Sequence, residues 1–468
     1  MIYQHSLPLL GLLIILGCSS CKHYLDIKPY GETVPQTTEE FSELLHYHLN
    51  SIEQGGDPDK IGNIASTSDR DLIADTFEPM LGNTSASTLP VYLGSAINTS
   101  AATYEGLYSD IRDYNIILAD IPERESELAK NVIGTTHMLR AIAYYQLMRM
   151  YCQMPDPTQW DSQLGLPLVH EFNIEAQVSR STLHELVNFI EADIDAAVSA
   201  HIQDPIFLFN DDIAQGYRAR LYFWTGQWQK CLDICQEILV NRPLLSGENY
   251  LHMLTAGKAS GNIIFRAGSS TATTSSETTR YESLKNRPLS RRFTMLFEGE
   301  ENAKDIRKDL YFNRKRIATK PVFVGMRAAE FYLMAMECHL HLGNESKALS
   351  MLNTLRLARN EEAKEYTMQS LPTPPDEEVI TEDATGKALT PLSYAILRER
   401  RKELFLEGDR FFELKRNGSP EFWIPFQGLK YINEKFMYVF PLPIGDNAVQ
   451  KDLIQNPEYD KYTITINL

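Results

Sequence analysis

The sequence predicts a mainly all-α protein, a tetratricopeptide-like superhelix of helix pairs with long inserted loops and a few short strands. Three observations carry that prediction. Apolar residues recur at helical spacing in several separate segments. Two of those segments share a helix, glycine turn, helix layout. The blocks are separated by stretches rich in Gly, Ser, Thr and Pro that are too long to be simple connections. The 468 residues are 43% hydrophobic and 23% charged, a globular composition able to bury a large core.

The elements follow in chain order. Leu7 to Leu16 is an apolar run broken by Pro8 and Gly11. It is too short to span a bilayer, which takes about 20 residues, and fits the apolar region of an export signal. Ile15-Leu16-Gly17-Cys18 and then Cys21 resemble the lipobox of bacterial lipoproteins. Residues 1–20 are therefore expected to be a lipoprotein signal, cleaved before Cys18 or Cys21, with either cysteine as the lipidation site. Residues 21–468 are expected to form one domain, with an N-terminal part of about 21–200 and a C-terminal part of about 201–468.

Leu139, Ile142, Ala143, Leu147 and Met150 make one apolar helix face. Tyr217, Leu221 and Trp224 make another, continued after Gly226 by Trp228, Leu232, Cys235 and Leu239. Ala329, Leu333, Met336 and Leu340 make a third, followed past Gly343 by Ala348, Leu352 and Leu355. Glycine in each turn supplies the left-handed conformation that ends a helix. Such pairs cannot bury their faces alone and must stack. Long loops are expected over 55–103, 260–280 and 371–391, and short strands at 262–267 and 436–440. Cys152, Cys231, Cys235 and Cys338 are too few for a disulfide scaffold and show no zinc spacing; small buried residues between helices is the simplest account.

The net charge is −17, from 45 basic and 62 acidic residues. Nucleic acid is not expected as a partner, because phosphate neutralisation needs a basic surface. No zinc-protease, P-loop, nucleophile-elbow or EF-hand motif occurs. His46 and His48, like His339 and His341, are two apart and face different sides of a helix, which is wrong for shared metal ligation. No catalytic residue, metal or cofactor is expected. Glu399, Arg400, Glu403, Glu407 and Arg410 could suggest a catalytic carboxylate pair, but an ion network bracing helices is the simpler reading.

A series of motifs then falls in one order along the chain. Tyr24-Leu25-Asp26-Ile27-Lys28-Pro29 comes first, then Tyr108-Ser109-Asp110-Ile111 with Asn115-Ile116-Ile117-Leu118. Arg140-Ala141-Ile142-Ala143-Tyr144-Tyr145, Gly165-Leu166-Pro167-Leu168 and Ser179-Arg180-Ser181-Thr182 follow. The most specific part is Glu399-Arg400-Arg401-Lys402-Glu403-Leu404 leading into Glu407-Gly408-Asp409-Arg410-Phe411-Phe412-Glu413-Leu414. Phe440-Pro441-Leu442-Pro443 and Gln455-Asn456-Pro457 close the series. Together these resemble the SusD/RagB family of nutrient-binding outer-membrane lipoproteins. Asp409, Phe411 and Glu413 stand where that family usually has His, Trp and Asp.

The resemblance implies a lipid-anchored protein on the outer face of the outer membrane. It would bind an oligosaccharide, or in some members a peptide, without chemistry, and deliver it to a TonB-dependent, SusC-like transporter. Sugar capture needs aromatic rings against the apolar face of a pyranose and polar side chains on its hydroxyls. Loops on a rigid scaffold are where such groups are expected. The candidates are Asp69, Arg70 and Tyr92 in the first loop, Tyr281 and Tyr311 in the later insertion, and Trp160. Trp423 and the pairs Asp305/Arg307 and Tyr311/Phe312 come beside them, and Arg287, Arg291 and Arg292 are a possible local basic cluster. A peptide-binding tetratricopeptide adaptor and a surface polysaccharide-degrading enzyme are the rival classes.

Overall fold

In the computed structural model, the structure describes residues 35–79, 90–171, 179–255, 261–268, 275–299, 302, 304–443 and 453–459. The expected signal segment and both candidate lipidation sites, Cys18 and Cys21, lie outside the described residues. The helices are α1 (Thr38–Glu53), α2 (Ile64–Leu72), α3 (Leu93–Ile97), α4 (Ser100–Asp120), α5 (Glu127–Tyr151) and α6 (Leu183–Ser199). They continue with α7 (Asp211–Trp224), α8 (Trp228–Leu239), α9 (Gly247–Thr255), α10 (Ser275–Lys285), α11 (Arg291–Thr294) and α12 (Ile306–Tyr311). The last four are α13 (Ala328–His341), α14 (Glu345–Arg359), α15 (Pro391–Glu403) and α16 (Arg410–Arg416).

The expected helix pairs form. Helix α7 turns into α8 at Gly226 (φ +70°) and α13 into α14 at Gly343 (φ +79°). Each pair buries its face on the next: α4 on α5, α5 on α6, α6 on α7, α7 on α8, α8 on α13, α13 on α14, and both of these on α15. Helix α5 lies between neighbours, so its burial is nearly continuous and takes in Arg140 and Gln146 as well as its apolar face. Thr182 caps α6 as its sequence suggested. Its hydroxyl accepts from the Glu185 amide at 3.1 Å while Glu185 accepts from the Thr182 amide at 2.8 Å.

Three two-stranded antiparallel ribbons decorate this stack: β1 (Gln203–Asp204) with β2 (Phe209–Asn210), β3 (Ile263–Arg266) with β4 (Gly325–Arg327), and β5 (Phe422–Phe426) with β6 (Leu429–Asn433). Strand β3 falls where a strand was expected. Residues 436–440 do not form one: Lys435–Tyr438 is a 3-10 turn that buries Met437 and Tyr438. The nearby strands are β5 and β6 instead. The stretch 55–103 is not one loop, since it contains α2, α3 and the start of α4. Helix α2 was hidden by its polar sequence, yet it buries Thr67, Ser68, Asp71 and Leu72 and is capped reciprocally by Asn63 and Ser66. Helix α10 likewise occupies the end of the expected 260–280 loop. Residues 371–390 carry no helix and only a Glu382–Ala388 bridge.

The four internal cysteines are buried and free, with the Cys231 and Cys235 sulfurs 3.8 Å apart. Burial pushes the Cys231 thiol up, which makes it inert. Among the described residues no helix is long and apolar enough to cross a membrane.

The charged C-terminal motif is a buried scaffold. Glu403 is fully buried and accepts from Arg327 Nη1 at 2.7 Å, from Arg359 Nε and Nη2 at 2.8 Å each, and from Arg307 Nη1 at 3.2 Å. Glu407 accepts from Arg327 Nε at 2.8 Å and Lys320 Nζ at 2.7 Å. Arg410 grips Asp75 through Nε at 2.7 Å and Nη2 at 3.0 Å, and Glu413 through Nη1 at 2.8 Å. These carboxylates are held by fixed buried cations, which ties α12, β4, α14, α15, α16 and the segment after α2 together.

Candidate functional site

The structure distributes the predicted site residues over five places. Tyr311 is fully buried, its hydroxyl 3.0 Å from that of Tyr250 and donating to the Glu403 carbonyl at 3.3 Å. It is core rather than a surface contact, because it ends α12 against Phe297 and Phe405. Its neighbours Asp305 and Arg307 are scaffold too, since Asp305 caps α12 and pairs with Arg307 at 2.7 Å. Trp160 is half-buried and stacked on His184 at 4.4 Å, so one ring face is already covered. Tyr92 meets Tyr431 edge-on at 5.3 Å and joins α3 to the β5–β6 ribbon. Tyr281 sits on α10 and accepts from the Val322 amide at 3.2 Å. It lines a groove of about 520 Å³ whose charged groups are already paired, Lys285 with Glu282 at 2.6 Å and Lys320 with Glu407 at 2.7 Å.

Asp69 and Arg70 do come together, on α2, at a cleft of about 350 Å³. That volume is within the range of small-ligand pockets. Its floor is apolar, formed by Ile73, Met150, Phe411 and Phe440. Its rim is polar, formed by Asp59, Asn63, Ser66, Asp69, Arg70 and Thr103. Asp69 is held bidentately by Arg280 at 2.7 and 3.0 Å. Asp59 accepts from the Thr103 hydroxyl at 2.8 Å, and burial pushes its carboxyl up to about 6.

Arg70 is the unusual member. Among the described residues it makes no hydrogen bond or ion pair; its guanidinium carbon lies 5.4 Å from the centre of the Phe412 ring. Burial, and after it the charge of Arg149, lower its pKa to about 10. Gly408 makes room for it. This glycine has φ +73°, and a Cβ there would come within 3.3 Å of Arg70 Cδ. The glycine of the charged motif thus serves both the turn into α16 and the packing of a cleft residue from α2. Asp71, beside it, is buried scaffold that accepts from the Gly408 amide at 3.4 Å.

Sequence reasoning missed Asp59, Asn63, Ser66, Thr103 and Phe412 as cleft residues. The Asn63–Ser66 capping pattern was the only local signal available for them. Trp423 belongs to a separate groove of about 220 Å³ with Glu78, Arg291 and Arg292. Trp423 is 46% exposed, but Lys430 Nζ sits 4.4 Å over its ring. Among the described residues no group of three or more His, Cys, Asp or Glu side chains is arranged to hold a metal ion.

The titration of Asp59 gives a testable sign. Its pKa is higher folded than unfolded, so its ionisation costs stability, and the cost sets in as pH rises from about 4 to about 6. Asp59→Asn keeps an acceptor for Thr103 and removes the charge. The variant should match the parent near pH 4 and exceed it by about 2–3 kcal/mol at pH 7, as read by thermal unfolding at both pH values.

Residues 23–223 match the family described as "Starch-binding associating with outer membrane", and residues 308–459 match the family described as "SusD family". The chain belongs to the SusD/RagB family. Among curated proteins none matches the sequence. Solved structures share the SusD fold with it at low identity. A SusD superfamily protein from Bacteroides thetaiotaomicron is 19% identical, with TM-score 0.66 over 90% of this chain and 100% of that one. A SusD superfamily protein from Bacteroides vulgatus is 17% identical, with TM-score 0.68 over 91% and 100%. A SusD-like carbohydrate binding protein from Bacteroides vulgatus is 17% identical, with TM-score 0.63 over 92% and 99%. The motif that runs through α15 and α16 thus belongs to a SusD scaffold, and the α2 cleft is built directly against it.

Proposed function

We propose that this protein is a lipid-anchored outer-membrane surface protein that captures an extracellular saccharide in the α2 cleft. It passes the ligand, chemically unchanged, to a TonB-dependent transporter of the SusC type. Family membership supports the class, and the carbohydrate binding named for a structural relative supports the ligand. One observation carries the site: Arg70 brings five N–H donors without a partner among the described residues to a cleft that also holds the desolvated Asp59 carboxylate. A sugar hydroxyl both donates and accepts, so a donor-rich cation beside an acceptor-only carboxylate suits a vicinal diol. The apolar floor suits the C–H face of the ring. The rim is open, much of the sugar stays hydrated, and affinity is expected to be modest.

The test is to titrate the purified full chain with a panel of neutral oligosaccharides and peptides, and to analyse every ligand afterwards for cleavage. Saturable binding of a saccharide without turnover is expected. Binding of peptides alone would favour the adaptor reading, and product formation would favour an enzyme. Purification of the tagged protein from native membranes should recover the transporter. Replacing both Cys18 and Cys21 with Ala should move the protein from the membrane to the soluble fraction; unchanged membrane retention would count against the anchor.

A further inference from the structure

Beside the cleft lies a second, smaller cavity of about 80 Å³, and Arg70 and Phe412 line both spaces. Its walls are crowded with charge, and nearly all of it is neutralised in place. Arg220 is held bidentately by Glu330 at 2.7 Å through both bonds. Arg400 pairs with Asp409 at 2.8 Å, and Arg416 with Glu337 at 3.0 Å. Glu407 is taken by Arg327 and Lys320, and Glu413 by Arg410.

Two wall cations are left over. Among the described residues neither Arg70 nor Arg149 has an ion pair. Arg149 donates from Nη2 to the Gln146 side-chain oxygen at 2.6 Å, and its Nε is buried without any partner. Its guanidinium lies 3.7 Å over the Phe412 ring, the same ring that Arg70 approaches. A third donor, Arg400 Nη1, is also buried without a partner. Burial lowers the pKa of both Arg70 and Arg149, as expected where cations are desolvated without a counter-charge. Two guanidiniums without an acid partner on one aromatic ring leave N–H donors that an anion can join.

We infer that this cavity is an anion site, which takes the carboxylate or sulfate group of an acidic saccharide whose ring rests in the outer cleft. The inference rests on the saccharide reading given above and narrows it to a charged class. The volume fits. A water needs about 10–15 Å³ of such space, so the cavity holds a carboxylate or sulfate but not a sugar ring. Both groups match the planar fork of a guanidinium bidentately. The acidic protein as a whole repels polyanions, and this local pair of cations offsets that at one point.

The full chain is titrated with an oligogalacturonate and with a sulfated galactan oligosaccharide, each beside its carboxyl-reduced or desulfated counterpart. Sodium acetate and sodium sulfate serve as free anions. At least one acidic saccharide should bind tenfold or more tightly than its neutral counterpart, and whichever pair shows the preference identifies the carboxylate or the sulfate. Arg149→Met should raise the ligand-free melting temperature, because it removes an unpaired cation, and should abolish the preference. Arg149→Gln provides the same readout should the methionine variant fold poorly. Equal binding of acidic and neutral saccharides would overturn the inference while leaving the saccharide function intact. So would equal stabilisation by the free anions alone, or a preference retained in both Arg149 variants. Failure of every saccharide, neutral or acidic, would overturn the function and the inference together.

Discussion

Glu403→Ala should unfold many degrees below the parent protein. Its carboxylate is the common acceptor for Arg307, Arg327 and Arg359, and all four groups are buried. Removing it leaves Arg359 without a counter-charge beside Arg307 and Arg327, which keep Asp305, Glu399 and Glu407, and losing one partner of a buried pair costs about 3–5 kcal/mol. Burial would raise the Glu403 pKa, but Arg359 and Arg327 outweigh burial and hold it well below the usual carboxylate range. The folded pKa therefore lies below the unfolded value of about 4.3. The contribution is fully present above that value and is lost only as pH falls through the folded one. The deficit of the variant should accordingly be constant from pH 5 to 8 and shrink in strong acid, as followed by thermal unfolding. Loss of saccharide binding should accompany unfolding and not precede it. A stable Glu403→Ala protein that had lost only its ligand would move the binding site into this motif.

Arg70→Met should behave in the opposite way. This guanidinium has no acid partner to strand, so the variant should melt at or above the parent temperature. Its affinity for the saccharide identified by the panel should fall at least tenfold. A hydrogen bond from a charged group contributes about 1.5–3 kcal/mol, and each 1.4 kcal/mol is a factor of ten in affinity. Two arginine-dependent sites a short distance apart are thus separable by experiment. In one the charges satisfy each other and hold the scaffold, and in the other the charge is available to a ligand.

The sequence revealed the scaffold better than the site, and the reasons are physical. Helix pairs such as α7–α8 and α13–α14 announce themselves because apolar periodicity and a turn glycine are local signals. The ion network was legible in outline from Glu399 and Glu403 four residues apart on one helix face. Its partners Arg307, Arg327 and Arg359 were not, since they arrive from distant elements. Helix α2 was read as loop because the half-exposed helix presents mostly polar residues. Tyr311 was read as a loop aromatic, although the helix it ends turns it into the core. Asp69 and Arg70 were found for a loop position they do not occupy. Asp59, Thr103 and Phe412 join them only through the folded chain, which places the 59–70 segment against α4 and α16. No spacing rule connects residues so far apart in sequence.

The central claim is the location of ligand binding, and amide hydrogen exchange with and without saturating saccharide tests it most directly. Protection on binding should concentrate in residues 58–73 and 96–103, the two segments that line most of the cleft rim. Protection centred instead on residues 422–433, around the exposed Trp423 ribbon, with none at α2, would contradict it.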